Sequence, residues 1–438
     1  FFFKQKTAYE IPKRDWSSDV CSSDLSFVGE IGGPPQSSTS SMSILSVNAG
    51  SSSLKFALYP LIDSSTKIGE AEMTGNIEGL EPSGNPSISW RVKGQEKTTA
   101  AVVVPKNSEP FDAALLALHD LLTTQFSHIA LQAIAHRVVH GGTRYLASVR
   151  VTPEVLTHLA ELNALAPLHQ PHNLAGIHAF SQTFPHLPQI ACFDTAFHRT
   201  LSPLETTFAI DKKLTQSGVR RFGFHGLSYQ FLSQVLQDVS PKSAGRTVMA
   251  HLGNGASLCA TVEHQSCATT MGFSALDGLM MGSRSGALDP GVLLYLMEQG
   301  WSHDAIQKML YKQSGLLGVS GESADMRTLR ASHSPSADFA IDLFTHRVVR
   351  EIGALTACLG GLDVLAFTGG IGEHDAKLRQ KVGIALSYLG VSVDVANNIA
   401  ARGDRPQSLH DDQSNVEVWV IPTDEGRIAA QEALALCL

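Results

Sequence analysis

The chain uses one small device twice, and this repetition restricts its possible folds more than any other feature. Ser46-Val47-Asn48-Ala49-Gly50-Ser51-Ser52-Ser53-Leu54-Lys55-Phe56 reads as a strand, a tight turn of glycine and serine, and a second strand. Far along the chain, His251-Leu252-Gly253-Asn254-Gly255-Ala256-Ser257-Leu258-Cys259 reads the same way. Turns of this kind let backbone N–H groups approach an anion, because no side chain stands in the way. A glycine turn on its own usually makes only a hairpin. Two copies, one in each half, predict a duplicated domain closing on one phosphate-bearing ligand.

The segments between the copies support that architecture. Short runs rich in Val, Ile and Ala recur at 44–47, 130–135, 189–193, 247–252, 364–367 and 416–421, each ending in small, polar or charged residues. Helical patterns separate them. Residues 111–126 carry Leu115, Leu118, Leu122 and Phe126 along one stripe, and 339–359 runs into the stop Gly360-Gly361. Alternating strands and helices predict α/β layers, with ligands beyond the carboxyl ends of the strands. A domain boundary is expected at 193–199. The last helix, 425–438, is expected to pack back on the first domain.

Residues 1–25 read as a translated sequencing adapter, since 4–10 and 15–25 back-translate into common adapter DNA. A targeting peptide fits poorly: Lys4, Lys6, Lys13 and Arg14 are balanced by Glu10, Asp15, Asp19 and Asp24, and no apolar stretch follows. Residues 26–41 are rich in Gly, Pro and Ser and are expected to be disordered, with the natural start at Met42. The formal charge of −8 argues against nucleic-acid binding through the net field. No apolar run reaches membrane-spanning length. Of six cysteines, five remain without Cys21, and none forms a C-x-x-C pair, which predicts a reducing cytoplasm.

No P-loop, zinc-protease or nucleophile-elbow motif is present. The chemistry must lie in the strand ends. Lys55 follows the first turn, where it either neutralises phosphate or is a solvated hairpin lysine. Arg137, in His136-Arg137-Val138-Val139-His140-Gly141-Gly142, offers a planar donor fork or makes a structural ion pair. Asp194, after a buried strand, either polarises a nucleophile, binds a metal or caps the next helix. His225 sits between Phe224 and Gly226, as a packed core residue or a catalyst. Arg284, flanked by Ser283 and Ser285, has neighbours small enough to let it reach inward. Asp325 and Arg327 form a charged pair on a loop, 367–373 is a glycine turn suited to a nucleotide, and Asp424 and Glu425 offer hard oxygens to magnesium.

Six motifs together, V-N-A-G-S-S-S-L-K, H-R-V-V-H-G-G, F-D-T-A-F-H, F-G-F-H-G, H-L-G-N-G and G-I-G-E, resemble the acetate kinase family in order and spacing from Met42 to the C-terminus. The resemblance implies two duplicated actin-like, ribonuclease H-like α/β domains with a nucleotide cleft between them. Their expected limits are 42–193, joined by 427–438, on the carboxylate side, and 194–426 on the nucleotide side. It implies reversible phosphorylation of acetate by ATP with Mg2+ (or Mn2+), as a cytoplasmic homodimer that binds neither nucleic acid nor membrane. Asp194, Arg284 and His225 match catalytic positions; Arg137, Val139, Leu168 and Phe224 match the carboxylate site. Lys55, His251, Gly253, Asn254, Gly255, Asp325, Met326, Arg327, Gly370, Ile371 and Gly372 match nucleotide positions, and Asn48 and Glu425 match metal positions.

Four positions depart from the family pattern. Ala275 stands for a usual proline on the wall of the acyl pocket, so propionate is expected to enter as well. His374 stands for asparagine near the base, Ala287 for aspartate, and Tyr229 for histidine. Rival readings are a propionate or butyrate kinase, an ATPase of the actin and chaperone kind, and a sugar kinase, which would need Asp194 as a base.

Overall fold

Each glycine turn closes a β-hairpin at the heart of its own sheet. The computed structural model describes residues 41–62, 66–81, 84–106 and 108–438. The adapter reading and all but the last residue of the segment expected to be disordered lie outside the described residues. That last residue departs from expectation: Ser41 opens the first strand, paired with Ile129.

Among the described residues the first sheet has nine strands. They are β1 (Ser41–Ala49), β2 (Ser53–Ile62), β3 (Lys67–Ile68), β4 (Met73–Glu78), β5 (Ser87–Val92), β6 (Lys97–Ala101), β7 (Ile129–Val138), β8 (Val149–Arg150) and β9 (Gln189–Phe193). Their order is β6-β5-β4-β2-β1-β7-β9-β8, with β3 against β2. The second sheet contains β10 (Thr247–Leu252), β11 (Ala256–Val262), β12 (Gln265–Thr269), β13 (Val364–Thr368), β14 (Gln407–Ser408) and β15 (Glu417–Val420). Its order is β12-β11-β10-β13-β15-β14.

The duplication is explicit in the pairing. β4-β2-β1-β7-β9 and β12-β11-β10-β13-β15 repeat one pattern, in which two antiparallel pairings are followed by two parallel ones. Ile44, Leu45 and Val47 of β1 and Val248, Met249 and Ala250 of β10 are all buried. Central strands covered on both faces need such largely apolar runs, interrupted in β1 only by the small, buried Ser46.

Helices cover those faces. Pro335–Leu359 begins where Ser334 Oγ accepts from the Ala337 N–H, with Pro335 at the first helical position. Its stripe of Ala337, Ala340, Ile341, Phe344, Val348 and Ile352 joins the core of the second sheet. It stops at Gly360, whose φ of 74° is a conformation glycine adopts without steric cost. The C-terminal helix, Glu425–Cys437, follows β15 yet packs on β1 and β7 of the first sheet. Its Ile428, Ala429, Ala430, Ala433 and Leu434 pack with Ile44, Ala133, Ala135 and Ile190. Helix Gly226–Val239 touches both sheets: Leu227 joins the first core, and Tyr229, Leu232 and Leu236 join Met249, Cys259 and Ala366 of the second. No described helix is long and apolar enough to cross a membrane.

Ile428 is fully buried where the returning helix meets the first sheet. Ile428→Ala is expected to cost roughly 2–5 kcal/mol, read as a lowered urea midpoint with unchanged slope.

Candidate active site

The parallel strands of both sheets deliver their carboxyl ends to one place, as α/β sheets do around ligands. At or just beyond the ends of β1, β7 and β9 stand Asn48, Arg137 and Asp194. At or just beyond those of β10, β13 and β15 stand His251, Gly370 and Glu425.

Arg137 is the junction. Its Nε donates to Asp194 Oδ1 at 2.9 Å and its Nη2 to Oδ2 at 2.7 Å. Its Nη1 lies 3.2 Å from Glu425 Oε2, at the start of the returning helix. Burial opposes the charge of Arg137, but Asp194 and Glu425 outweigh it and hold the guanidinium pKa above its ordinary value. Asp194 is not the cap of the following turn of helix, which starts at Thr195 with no side-chain cap. The second acid, Asp424, accepts from the Tyr59 hydroxyl at 2.5 Å and from the Arg427 N–H at 3.1 Å, so it serves the helix start.

Arg284 is different. Among the described residues it has no carboxylate partner, and its Nη1 donates to the Ala275 carbonyl at 2.6 Å. Burial pulls its pKa below the ordinary value; Tyr311 opposes this and Arg137 adds to it. A Cβ built on Gly255 would lie 2.7 Å from Arg284 Nη2 and 3.4 Å from His225 Nε2. The bare backbone of the turn, the guanidinium and the imidazole therefore converge on one small volume, which only glycine leaves open.

His225 holds a left-handed backbone, φ 57°, just before helix Gly226–Val239. Its Nδ1 lies 2.8 Å from Ser257 Oγ, and its ring stacks on His251 with centroids 4.2 Å apart. Burial, then His251, Arg137 and Arg284, push its pKa well below the ordinary value, so the ring is neutral. Sequence reasoning missed His169. Burial, Arg284 and Arg137 push its pKa down to about 4, which places it within the field of both arginines. Its position between Leu168 and the start of helix Gln170–Thr183 was the available signal.

Beside this cluster opens a cavity of about 1000 Å³, large enough for a nucleotide. Gly253, Asn254, Asp325, Met326, Arg327, Gly370 and Ile371 line it as expected, with His374. Arg330, Asp375 and Lys377 also line it and were missed. Asp325 and Arg327 are not on a loop: Asp325 caps helix Met326–Ser332 and Arg327 lies in its first turn. The glycine segment likewise passes directly from β13 into helix Gly369–His374. Three expected nucleotide residues, together with Gly255, lie outside the lining. Lys55 is exposed on β2, paired in register with Asn48. His251 stacks under His225, and Gly372 is buried, its carbonyl accepting from Arg379.

Val139, Ala166, Phe222 and Phe224 belong to one buried apolar cluster, with Ala275 packed against it. Leu168 is half-buried and outside that cluster. Among the described residues no three His, Cys, Asp or Glu side chains gather as a metal site. Asn48 and Glu425 supply hard oxygen donors, too few to cage a cation alone. Such a donor set fits an ion of the Mg2+ kind, which takes one or two carboxylates and fills its remaining positions with phosphates and water.

The sequence model of the Acetokinase family matches residues 43–431. The chain belongs to the acetokinase family. It is 48% identical to the acetate kinase of Rhodopseudomonas palustris over 396 residues, covering 90% of this chain and 98% of that protein. It is 40% identical to the acetate kinase of Rickettsia akari, covering 89% and 98%. Its fold matches the crystal structure of Porphyromonas gingivalis acetate kinase with a TM-score of 0.80 at 33% identity, covering 90% and 99% of the two chains. A propionate kinase from Francisella tularensis matches with a TM-score of 0.80 at 36% identity, covering 89% and 98%. As an acetokinase the chain is a phosphotransferase with a carboxyl group as acceptor, moving phosphoryl between ATP and acetate. Its two sheets are the duplicated actin-like domains of that fold.

The buried and half-buried histidines of this acetokinase carry a pH signature. Burial first of all lowers His136, His140, His169, His198 and His251 to about 4. The unfolded chain takes up those protons near pH 6.5, whereas the folded chain does so only near 4. Across that window the unfolded state binds more protons, so stability rises with pH and is lost as pH falls. The urea midpoint is expected to drop steadily from pH 7 to 4.5; an unchanged midpoint would contradict the burial.

Proposed function

We propose that transfer is direct and in line: an acetate oxygen bonds to the γ-phosphorus of ATP as the bond from that phosphorus to the ADP oxygen breaks. No proton moves, because acetate is already ionised at neutral pH. The observation that carries this reading is Arg284, a part-buried guanidinium without an acid partner among the described residues, set against the glycine turn and His225. Three equatorial phosphoryl oxygens need preorganised donors far more than they need covalent help.

Each residue then has a role. Arg284 and the His225 ring face the phosphoryl oxygens, and backbone N–H groups at 253–257 receive the phosphates. Asp325, Met326, Arg327, Gly370 and Ile371 hold the adenosine side. Val139, Leu168, Phe224 and Ala275 enclose the methyl group of acetate. Arg137 faces the carboxylate. Asp194 orients Arg137; a carboxylate already accepting two N–H groups is ill suited to deprotonate a sugar hydroxyl. Asn48 and Glu425 would hold Mg2+, which would supply charge neutralisation on the phosphates. His251 backs the ring of His225 from beneath.

The same reading places the domain boundary at 193–199, with the C-terminal helix on the carboxylate side. The free state of the five described cysteines supports a reducing cytoplasm. A homodimer is supported by helix Pro290–Glu298, in which no residue is buried and Leu294, Tyr295 and Met297 are 62%, 59% and 55% exposed. Sedimentation velocity at micromolar concentration is expected to give twice the chain mass; a monomer would remove the dimer.

The chemical test is hydroxamate formation from ATP, Mg2+ and hydroxylamine with acetate, propionate and butyrate. The wild type is expected to form acetyl hydroxamate, and Arg284→Ala to lose about 10²–10³-fold in kcat, the scale of one lost oxyanion donor. Ala275→Pro is expected to lower relative kcat/KM for propionate, within the roughly 1–3 kcal/mol that one methylene is worth. Folded protein that makes no hydroxamate from any of the acids sinks the mechanism.

A further inference from the structure

Behind His225 lies a chain of two hydroxyls that the reaction scheme above does not use. Tyr229 is fully buried, and its hydroxyl lies 2.5 Å from Ser257 Oγ. Ser257 Oγ in turn lies 2.8 Å from His225 Nδ1. Neither hydroxyl has another side-chain hydrogen-bond partner among the described residues. Tyr229 and Ser257 come from helix Gly226–Val239 and β11, so the helix and the second sheet fix the spacing together.

Each hydroxyl has one hydrogen to give and can accept two; were Tyr229 and Nδ1–H both to donate to Ser257, its own O–H would be stranded with no side-chain acceptor among the described residues, which leaves two polarities to compare. In one, Tyr229 donates to Ser257, Ser257 donates to His225 Nδ1, and Nε2 carries the imidazole proton. In the other, Nδ1–H donates to Ser257, Ser257 donates to the phenol oxygen, and the buried phenol O–H has no other acceptor among the described residues. Leaving a buried donor unmade costs far more than exchanging one hydrogen bond for another. The first polarity wins. The stacked neighbour does not compete, because His251 Nδ1 pairs with Ser228 Oγ at 2.8 Å, and that hydroxyl lies 2.9 Å from Thr423 Oγ1.

We propose that Tyr229, acting through Ser257, fixes His225 as the Nε2–H tautomer, so that the ring presents a donor beside Arg284 Nη2. Tyr229 is thus a positioning residue. The proposal rests on the reading of His225 as a ligand of the phosphoryl oxygens and says how that ligand is prepared. With the opposite tautomer, a lone pair would face anionic oxygens and repel them. The close approach of Gly255 to both Arg284 Nη2 and His225 Nε2 identifies the atom that matters.

The test is the nitrogen spectrum of histidine in the full chain labelled with 15N-histidine at pH 7, where protonated and bare ring nitrogens are well separated. Of eighteen histidines, His225 is assigned as the signal missing from His225→Ala. The wild type is expected to show a bare Nδ1 and a protonated Nε2. In Tyr229→Phe the two tautomers are expected to mix. Its kcat is expected to fall by about ten- to a hundredfold, the range for outer partners that orient an imidazole, while KM values for acetate and ATP stay within about twofold. Should Tyr229→Phe not fold, Ser257→Ala and the wild-type spectrum decide. A proton on Nδ1 in the wild type, or an unchanged tautomer and kcat in folded Tyr229→Phe, overturns the proposal. His225→Ala separates the two ideas. Full kcat in that variant would sink the phosphoryl role itself, whereas a large loss beside an Nδ1–H wild type would sink only the tautomer relay.

Discussion

The site depends first on Arg137 being caught between Asp194 and Glu425. One guanidinium ties the end of β7 to the residue after β9 and to the start of the C-terminal helix beyond β15. Asp194 is almost fully buried, and the other two side chains are about one-fifth exposed. Removing one member of such a set strands a charge in low dielectric, which typically costs about 3–5 kcal/mol. The ion pair between Arg137 and Glu425 therefore holds the returning helix in register as well as shaping the site. The apolar face of that helix supplies adhesion to the first sheet, and the charged contact supplies position.

The duplicated halves share a topology but differ in the chemistry of their strand ends. The first sheet delivers charge at its strand ends, in Arg137 and Asp194. The second delivers bare backbone, in the turn at 253–255 and the glycines after β13. Charge orients a small carboxylate, whereas exposed N–H groups and an open cavity suit a long, multiply charged nucleotide. Arg284 reaches the meeting point from a loop and has no acid partner among the described residues, its neighbours there being a carbonyl, a glycine backbone and a neutral histidine.

Much of this was legible in the residues. Runs at 189–193 and 247–252 coincide with β9 and β10, because buried parallel strands are short, apolar and punctuated by polar ends. The long helix begins at Pro335, earlier than its apolar stripe suggests, because Ser334 and Pro335 form the cap. Motif membership was a weaker guide to contact. Lys55 and Gly372 sit within family motifs, yet one is exposed on a strand and the other is buried in a helix, away from the cavity lining. His169 and Arg330 carried no motif and still reach the site, since the turn of a chain decides where a side chain points.

The sequence by itself determined the two hairpins, the alternation of strand and helix and the family, because turn chemistry and apolar periodicity act over a few residues. It also singled out two arginines, a histidine and an aspartate, which the structure gathers at the strand ends and the glycine turn. Only the tertiary structure decided which arginine is neutralised and which is left open to an anion. It alone placed the last helix against the first sheet and set two hydroxyls in line behind His225. Those outcomes depend on groups brought together from distant parts of the chain, Arg137 with Asp194 and Glu425, His225 with Ser257. Their energies come from burial and exact hydrogen-bond pairing, which exist only once the chain has closed.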